Sequence, residues 1–284
     1  MTPEQRKKQD RLLKDGTGTD CYVFALHIRD ADIKALQARV LAVGTGRDCF
    51  LFSHIKSPDI DIPALQARVL EIGDDEDCCH FAAYTRGADI PALQKRILET
   101  GSERACYEFA RDVVRADRHS LERRVLETGT GYDCFRFARD VNGADCRALQ
   151  ARVLEIGHGD DCVFFARQIP DADIKALQDR VLAIGTAEDC RLFAGAIRGA
   201  DKKRLQARVL EIGDAKECYR FARDVRGADI RALQARVLEI GDSLDFHFFV
   251  RDVKGADQEA FRQAKAARAQ RLTDEADTTS APSL

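Results

Sequence analysis

The sequence predicts an all-α fold: an αα-superhelix, right-handed by analogy with other arrays of stacked helix pairs, built from about nine 28-residue pairs with capping helices at its ends. Three observations predict it. The phrase Asp229-Ile-Arg-Ala-Leu-Gln-Ala-Arg-Val-Leu-Glu-Ile-Gly241 returns along the chain, starting also from Ala31, Asp61 and Ala172. Its apolar residues fall at helical spacing. A shorter phrase of the form DCYRFARDVRGAD separates successive copies, so the whole chain keeps one period, the mark of stacked supersecondary units.

Taken in order, residues 1–16 read as an N-terminal capping helix. Arg11-Leu12-Leu13 stands where Arg236-Val237-Leu238 stands in a full unit, Gly16 matches Gly241, and Lys8 replaces the anchoring leucine, leaving the polar outer face a terminal cap requires. Residues 17–272 read as the solenoid repeats, including a C-terminal capping helix. The anchors are Leu36, Leu65, Leu93, Leu121, Leu149, Leu177, Leu205 and Leu233, with Phe261 in the ninth place. Helix B of each unit starts at an aspartate four residues earlier (Asp32 and Asp61 through Asp229 and Asp257), suited to accept from the free N–H groups of a first turn. It ends at a glycine eight residues after the leucine, such as Gly44 or Gly241, where a left-handed cap is expected. Helix A follows. Thr45, Asp74, Thr130 and Asp242, each with an acid three residues on, resemble capping boxes. Its core face is a cysteine, then phenylalanine three residues later, then a small residue. Helices of about eleven residues are too short to persist alone in water and hold by stacking. The segment 273–284 has no apolar pattern and reads as a disordered tail.

These residues carry a resemblance. The pattern looks like an αα-solenoid, the architecture of TPR, HEAT and armadillo proteins, without the fixed residues of those families. The phrase is similar to short tandem repeats of the Tyr/Phe-Ala-Arg-Asp type found in bacterial and phage proteins of no assigned function. The resemblance covers residues 17–257; it implies a fold and no activity.

Composition narrows the function. The 284 residues carry a formal net charge of −3 with 33% charged residues, a mixed surface without a strong overall field for nucleic acid or anionic membrane. No apolar run has the roughly 18 residues of a membrane span, and MTPEQRKKQD lacks a signal peptide's apolar core. A cytoplasmic location is the expectation. Eight of ten cysteines recur in register from Cys21 to Cys218. Stacked helices lie roughly 8–10 Å apart, too far for disulfides between equivalent positions, so these cysteines read as small core residues, as does Cys146. His27, His54, Cys79 and His80 lack metal-ligand spacing. With no phosphate loop or nucleophile elbow, neither catalysis nor a metal or cofactor is expected.

Two rows are candidates for binding. Arg39, Arg68, Arg96, Arg124, Arg152, Arg180, Arg208 and Arg236 form a ladder three residues after the anchors. It reads as structural, with stems covering apolar surface and heads in water. Helix A brings together aromatics and arginines at i,i+4 on what reads as its outer face: Tyr107 with Arg111, Phe135 with Arg139, Tyr219 with Arg223, and Arg167 and Arg251 at the same arginine register. Such a row suits packing, then a protein partner, then single-stranded nucleic acid. The reading that follows is a non-catalytic scaffold recognising a protein or peptide, with single-stranded nucleic-acid binding second. A structural spacer or a designed array without ligand is the third.

Overall fold

A computed structural model of the chain describes the backbone of residues 1–279 and the side chains of residues 1–271. Among the described residues there are nineteen helices and no strand. The chain divides into two compact units, Met1–Leu149 and Gln150 onward. The first holds α1 (Pro3–Asp15), α2 (Gly18–His27), α3 (Ile33–Val43), α4 (Gly46–Phe52), α5 (Ile62–Ile72), α6 (Asp75–Tyr84), α7 (Ile90–Thr100), α8 (Glu103–Asp112), α9 (Arg118–Thr128) and α10 (Gly131–Asp140). The boundary falls within α11 (Cys146–Ile156). The second unit continues with α12 (Gly159–Gln168), α13 (Ile174–Ile184), α14 (Ala187–Ala196), α15 (Lys202–Ile212), α16 (Ala215–Asp224), α17 (Ile230–Ile240), α18 (Ser243–Asp252) and α19 (Gln258–Thr279). From α2 onward, even numbers are helices A and odd numbers helices B. Helix α19 enters the segment read as a tail, and residues 280–284 lie outside the described residues. No helix among the described residues is long and apolar enough to cross a membrane.

Each unit is an array of helices packed neighbour to neighbour. A helix A lies against helix B of its own repeat, as α8 on α9 and α16 on α17, and against the next helix A, as α6 on α8 and α14 on α16. Helices B touch one another less, as α7 with α9 and α15 with α17, which leaves grooves between them. The core is what the register dictates: Leu177, Val181, Cys190 and Phe193 have no exposed surface, and the same positions are closed in the other repeats. Fully burying such a side chain is worth about 1.5–3 kcal/mol.

The capping pattern forms where the sequence puts it. Asp229 accepts from the Ala232 N–H at 3.1 Å. Reciprocal capping boxes form at Thr45/Asp48, Asp74/Asp77, Thr130/Asp133 and Asp242/Asp245. The end of helix B differs from expectation. Gly44 has φ −78° and ψ 163°, extended rather than left-handed, and its equivalents match it. The next residue is already the N-cap of helix A, so the chain leaves straight into an extended link. Glycine is needed there for space: a Cβ on Gly44 would stand 2.6 Å from the Val40 carbonyl oxygen. The left-handed glycines, such as Gly227 at φ 86°, occupy the A–B turns.

A glutamine one residue after most anchors closes the repeats together, and the sequence reading did not single it out. Gln206 Oε1 accepts the Asp229 N–H at 2.8 Å, and its Nε2 donates to the Asp229 carbonyl at 3.1 Å. Gln37, Gln66, Gln94, Gln178 and Gln234 make both bonds to the next repeat's capping aspartate. Gln9 of α1 accepts from Asp32, which seats that helix as the first half-unit. Glu122 breaks the pattern. It accepts the Asp145 N–H at 2.6 Å but, ionised, has no donor for the Asp145 carbonyl. Burial pushes its carboxyl above the ordinary value, against the bond from Asp145, which pulls it down. The folded chain therefore holds this proton more tightly than the unfolded chain. The cost of ionising Glu122 grows in as pH rises from the ordinary carboxylate range through the raised folded value. Glu122→Gln is expected to stabilise the chain by about 1 kcal/mol at pH 7 in urea unfolding. The gain should shrink towards zero below about pH 4, where the protonated acid supplies the missing donor.

Candidate functional site

The two rows expected to carry binding are largely consumed by the fold. On helix A, Tyr107, Phe135 and Tyr219 are 2%, 1% and 7% exposed, so this face is covered and not outer. The cover comes from within the helix and from the next repeat. Arg111 Cζ lies 5.0 Å from the Tyr107 ring centre and Arg136 4.1 Å from it, while the Tyr107 hydroxyl donates to Asp140 at 2.5 Å. Arg139 sits over Phe135 and Arg223 over Tyr219, whose hydroxyl donates to Asp252. Each of these arginines also forks onto the aspartate that follows it: Arg111 on Asp112, Arg139 on Asp140, Arg223 on Asp224 and Arg251 on Asp252. The Arg139 guanidinium and the Tyr107 hydroxyl hold the Asp140 carboxyl down at about 2, against burial. Arg251 stacks on Phe248, and Arg167, with Gln168 beside it, forms no ion pair among the described residues. Buried rings cannot stack bases, and forked guanidiniums are poor phosphate ligands.

The helix B ladder is occupied in a similar way. Arg68, Arg152, Arg208 and Arg236 pair with Glu71, Glu155, Glu211 and Glu239 at 2.8–2.9 Å. Their Nε atoms, with those of Arg124 and Arg180, are buried without a hydrogen-bond partner among the described residues. Arg39 Nε donates to the Gly16 carbonyl, and Arg180 to the carbonyls of Glu155 and Gly157, so these heads sit on the C-terminal end of the preceding helix B. Arg96 donates to Thr100.

Several clefts remain, among them one of about 380 Å³ lined by Asp74, Asp75, Arg96 and Thr100. Another, of about 430 Å³, lies between α6 and α8 and is lined by Cys79, His80, Tyr84, Arg104, Glu108 and Arg111. Arg104 pairs with Glu108 at 2.7 Å, and the His80 ring lies 3.9 Å from Glu76. Beside it Phe50, His54, His80 and Tyr84 form a ring cluster with centroids 4.8–6.4 Å apart. Among the described residues no three His, Cys, Asp or Glu side chains converge as a metal site would need. Two further clefts are one groove seen twice. Between α7 and α9 a groove of about 460 Å³ is lined by Pro91, Gln94, Lys95, Leu98, Arg115 and Ser120. Between α15 and α17 a groove of about 330 Å³ is lined by Lys203, Gln206, Ala207, Leu210, Gly227 and Ala232. These are the same register positions in each unit. The floor is the glutamine lock, flanked by Lys95 and Ser120 in the first unit and by Ala207 and Ala232 in the second, and the rim is the A–B turn.

Sequence reasoning passed over this groove because alanines and a recurring glutamine read as filler. The available signal was the recurrence of alanine immediately either side of leucine–glutamine in many of the repeats. Comparison with protein-family models, curated protein sequences and solved structures returns no match to this chain.

The thiols offer no nucleophile. Burial pushes Cys49, Cys78, Cys106, Cys190 and Cys218 up to about 11 and Cys162 to about 12. Cys146 departs from its core reading: it is half-buried, its Sγ 3.7 Å from the Ala138 carbonyl. Iodoacetamide at pH 7.5, read by peptide mass spectrometry, should label Cys146 well before the buried set, by at least tenfold in rate. Equal labelling would mean that the repeats open faster than this packing allows.

Proposed function

We propose that the chain is a non-catalytic scaffold that binds a protein or peptide in the grooves between helices B. It is a helical-repeat protein of the kind the Tyr/Phe-Ala-Arg-Asp resemblance suggests. The observation that carries the proposal is the recurrence of one groove at one register in both units, floored by Gln94, Leu98, Gln206, Ala207 and Leu210. A mixed floor of aliphatic surface and small residues suits a peptide, which brings both apolar side chains and backbone polar groups. Single-stranded nucleic acid has less support, because Tyr107, Phe135 and Tyr219 are covered and the neighbouring arginines are paired.

The test is affinity capture on the immobilised full chain from a lysate of its source, with and without nuclease, against an Ala207→Arg variant. Ala207 is exposed, so the variant should fold with stability within about 0.5 kcal/mol of the parent. A protein retained after nuclease and lost with Ala207→Arg supports the groove. Retention indifferent to the variant removes it. Material lost to nuclease supports the nucleic-acid reading, and an empty column the spacer.

A further inference from the structure

We propose that the second unit's face of α13, α15 and α17 takes a linear acidic–aliphatic peptide segment. Its carboxylates would meet the N-terminal ends of these helices, and its aliphatic side chains would lie at their C-terminal ends. This rests on the scaffold reading above and names the ligand chemistry for it.

The first observation is an uncompensated row of cations. Lys175, Lys203 and Arg231 stand at the second position of α13, α15 and α17, and Arg198, Arg226 and Lys254 in the A–B turns of this unit; all are exposed. None is in an ion pair with a described residue. The acids of the same unit are largely spent: Asp224 on Arg191 and Arg223, Asp252 on Arg251 and Tyr219, Glu211 on Arg208 and Glu239 on Arg236. The capping Asp173, Asp201 and Asp229 share the cationic edge. Their carboxylates are turned onto helix N–H groups, whose dipole offsets part of their charge.

The second observation is an aliphatic row at the other end of the same helices. Ile184, Ile212 and Ile240 are 44%, 40% and 40% exposed, beside half-buried Leu182, Leu210 and Leu238. In the first unit the rows are less regular: α3 carries Lys34, paired with Asp59, and exposed Val43, and α5 keeps exposed Ile72 beside Pro63, but α7 and α9 lose both features. Thr100 and Thr128 replace the isoleucine, and Pro63, Pro91 and His119 replace the cation. The groove between α15 and α17 joins the two rows, from Lys203 past Ala207 to Leu210. An eleven-residue helix is roughly 16 Å long, the span of about five extended peptide residues. A phosphate backbone would use the cations but not the isoleucines, and these three helices hold no aromatic side chain for bases to stack on.

The experiment is selection of a random twelve-residue phage-displayed peptide library on the full chain, followed by affinities of the selected peptides. Enrichment of Asp and Glu alongside Leu, Ile or Val is expected. Lys175→Glu with Lys203→Glu and Arg231→Glu should weaken binding at least tenfold, and Ile184→Ser with Ile212→Ser should weaken it several-fold. The same-register changes Pro63→Glu, Pro91→Glu and His119→Glu should leave it unchanged. Selected peptides without acidic enrichment, or indifferent to the lysine and arginine reversals, overturn this inference and leave the scaffold reading standing. A library that yields no binder overturns both. If a twenty-residue oligothymidylate binds more tightly than any peptide and is lost with the same reversals, the face recognises phosphate and the proposal falls.

Discussion

The bidentate bond between Gln206 and the backbone of Asp229 is the contact on which the rest of this structure depends. Asp229 caps the next helix B, so the bond ties the middle of one helix to the start of another. Helices of ten or eleven residues lie below the length at which they persist alone. Leucine, valine, cysteine and phenylalanine supply the burial, but apolar contact is nondirectional and would tolerate a slip. A buried amide that must satisfy both its donor and its acceptor does not. The lock fixes the register of neighbouring repeats, and the capping box, the extended glycine link and the covered tyrosines follow from that register.

The lock acts on backbone atoms, so it places no demand on outward side chains, and the charge arrangement follows from this freedom. The formal charge of −3 conceals a sorting. Aspartates are drawn to caps and to the Arg–Asp forks of helix A, and glutamates to the helix B arginines. Exposed pairs of this kind contribute little stability each, about 0–1 kcal/mol. Their larger effect is to neutralise two arginine rows that the primary structure makes look like polyanion tracks. In the second unit the cations left without an ion pair include those of the A–B turns and those at the starts of α13, α15 and α17.

Much of the fold was legible because its determinants are local. Asp32 through Asp257, the anchoring leucines and the Cys–Phe pairs announce caps and core by type and spacing alone. What was not legible depends on the neighbouring repeat. Tyr107 reads as a surface aromatic until Arg136 and Asp140 of the next repeat are folded over it. Gly44 reads as a left-handed cap by the usual preference, but the following Thr45 already caps the next helix and the glycine answers a steric need instead. Gln206 reads as a polar residue on a helix edge because its partners are backbone atoms 23 residues away, which no side-chain pattern reports. The candidate site was the least legible part, since a groove is defined by what is small, and Ala207 and Ala232 carry no chemistry of their own.

Whether such a groove is a site or a by-product of stacking turns on what the fold requires of its rims. At the last position of helix B the first unit carries Thr100 and Thr128, whose hydroxyls donate to the Arg96 and Arg124 carbonyls at 3.0 Å. A polar residue therefore completes the helix there without loss of any core contact. Ile184, Ile212 and Ile240 at the same register leave 40% or more of their surface in water. They take no part in the lock, and exposed aliphatic surface in a row favours association. Proline and histidine likewise fill the second helical position in α5, α7 and α9, so the cations of α13, α15 and α17 are not demanded by capping. Two positions that the fold leaves free thus carry positive charge and exposed apolar surface together in α13, α15 and α17, and neither in α7 and α9. Stacking geometry accounts for the groove, and the ligand proposed above, acidic at one end and aliphatic at the other, would account for its rims.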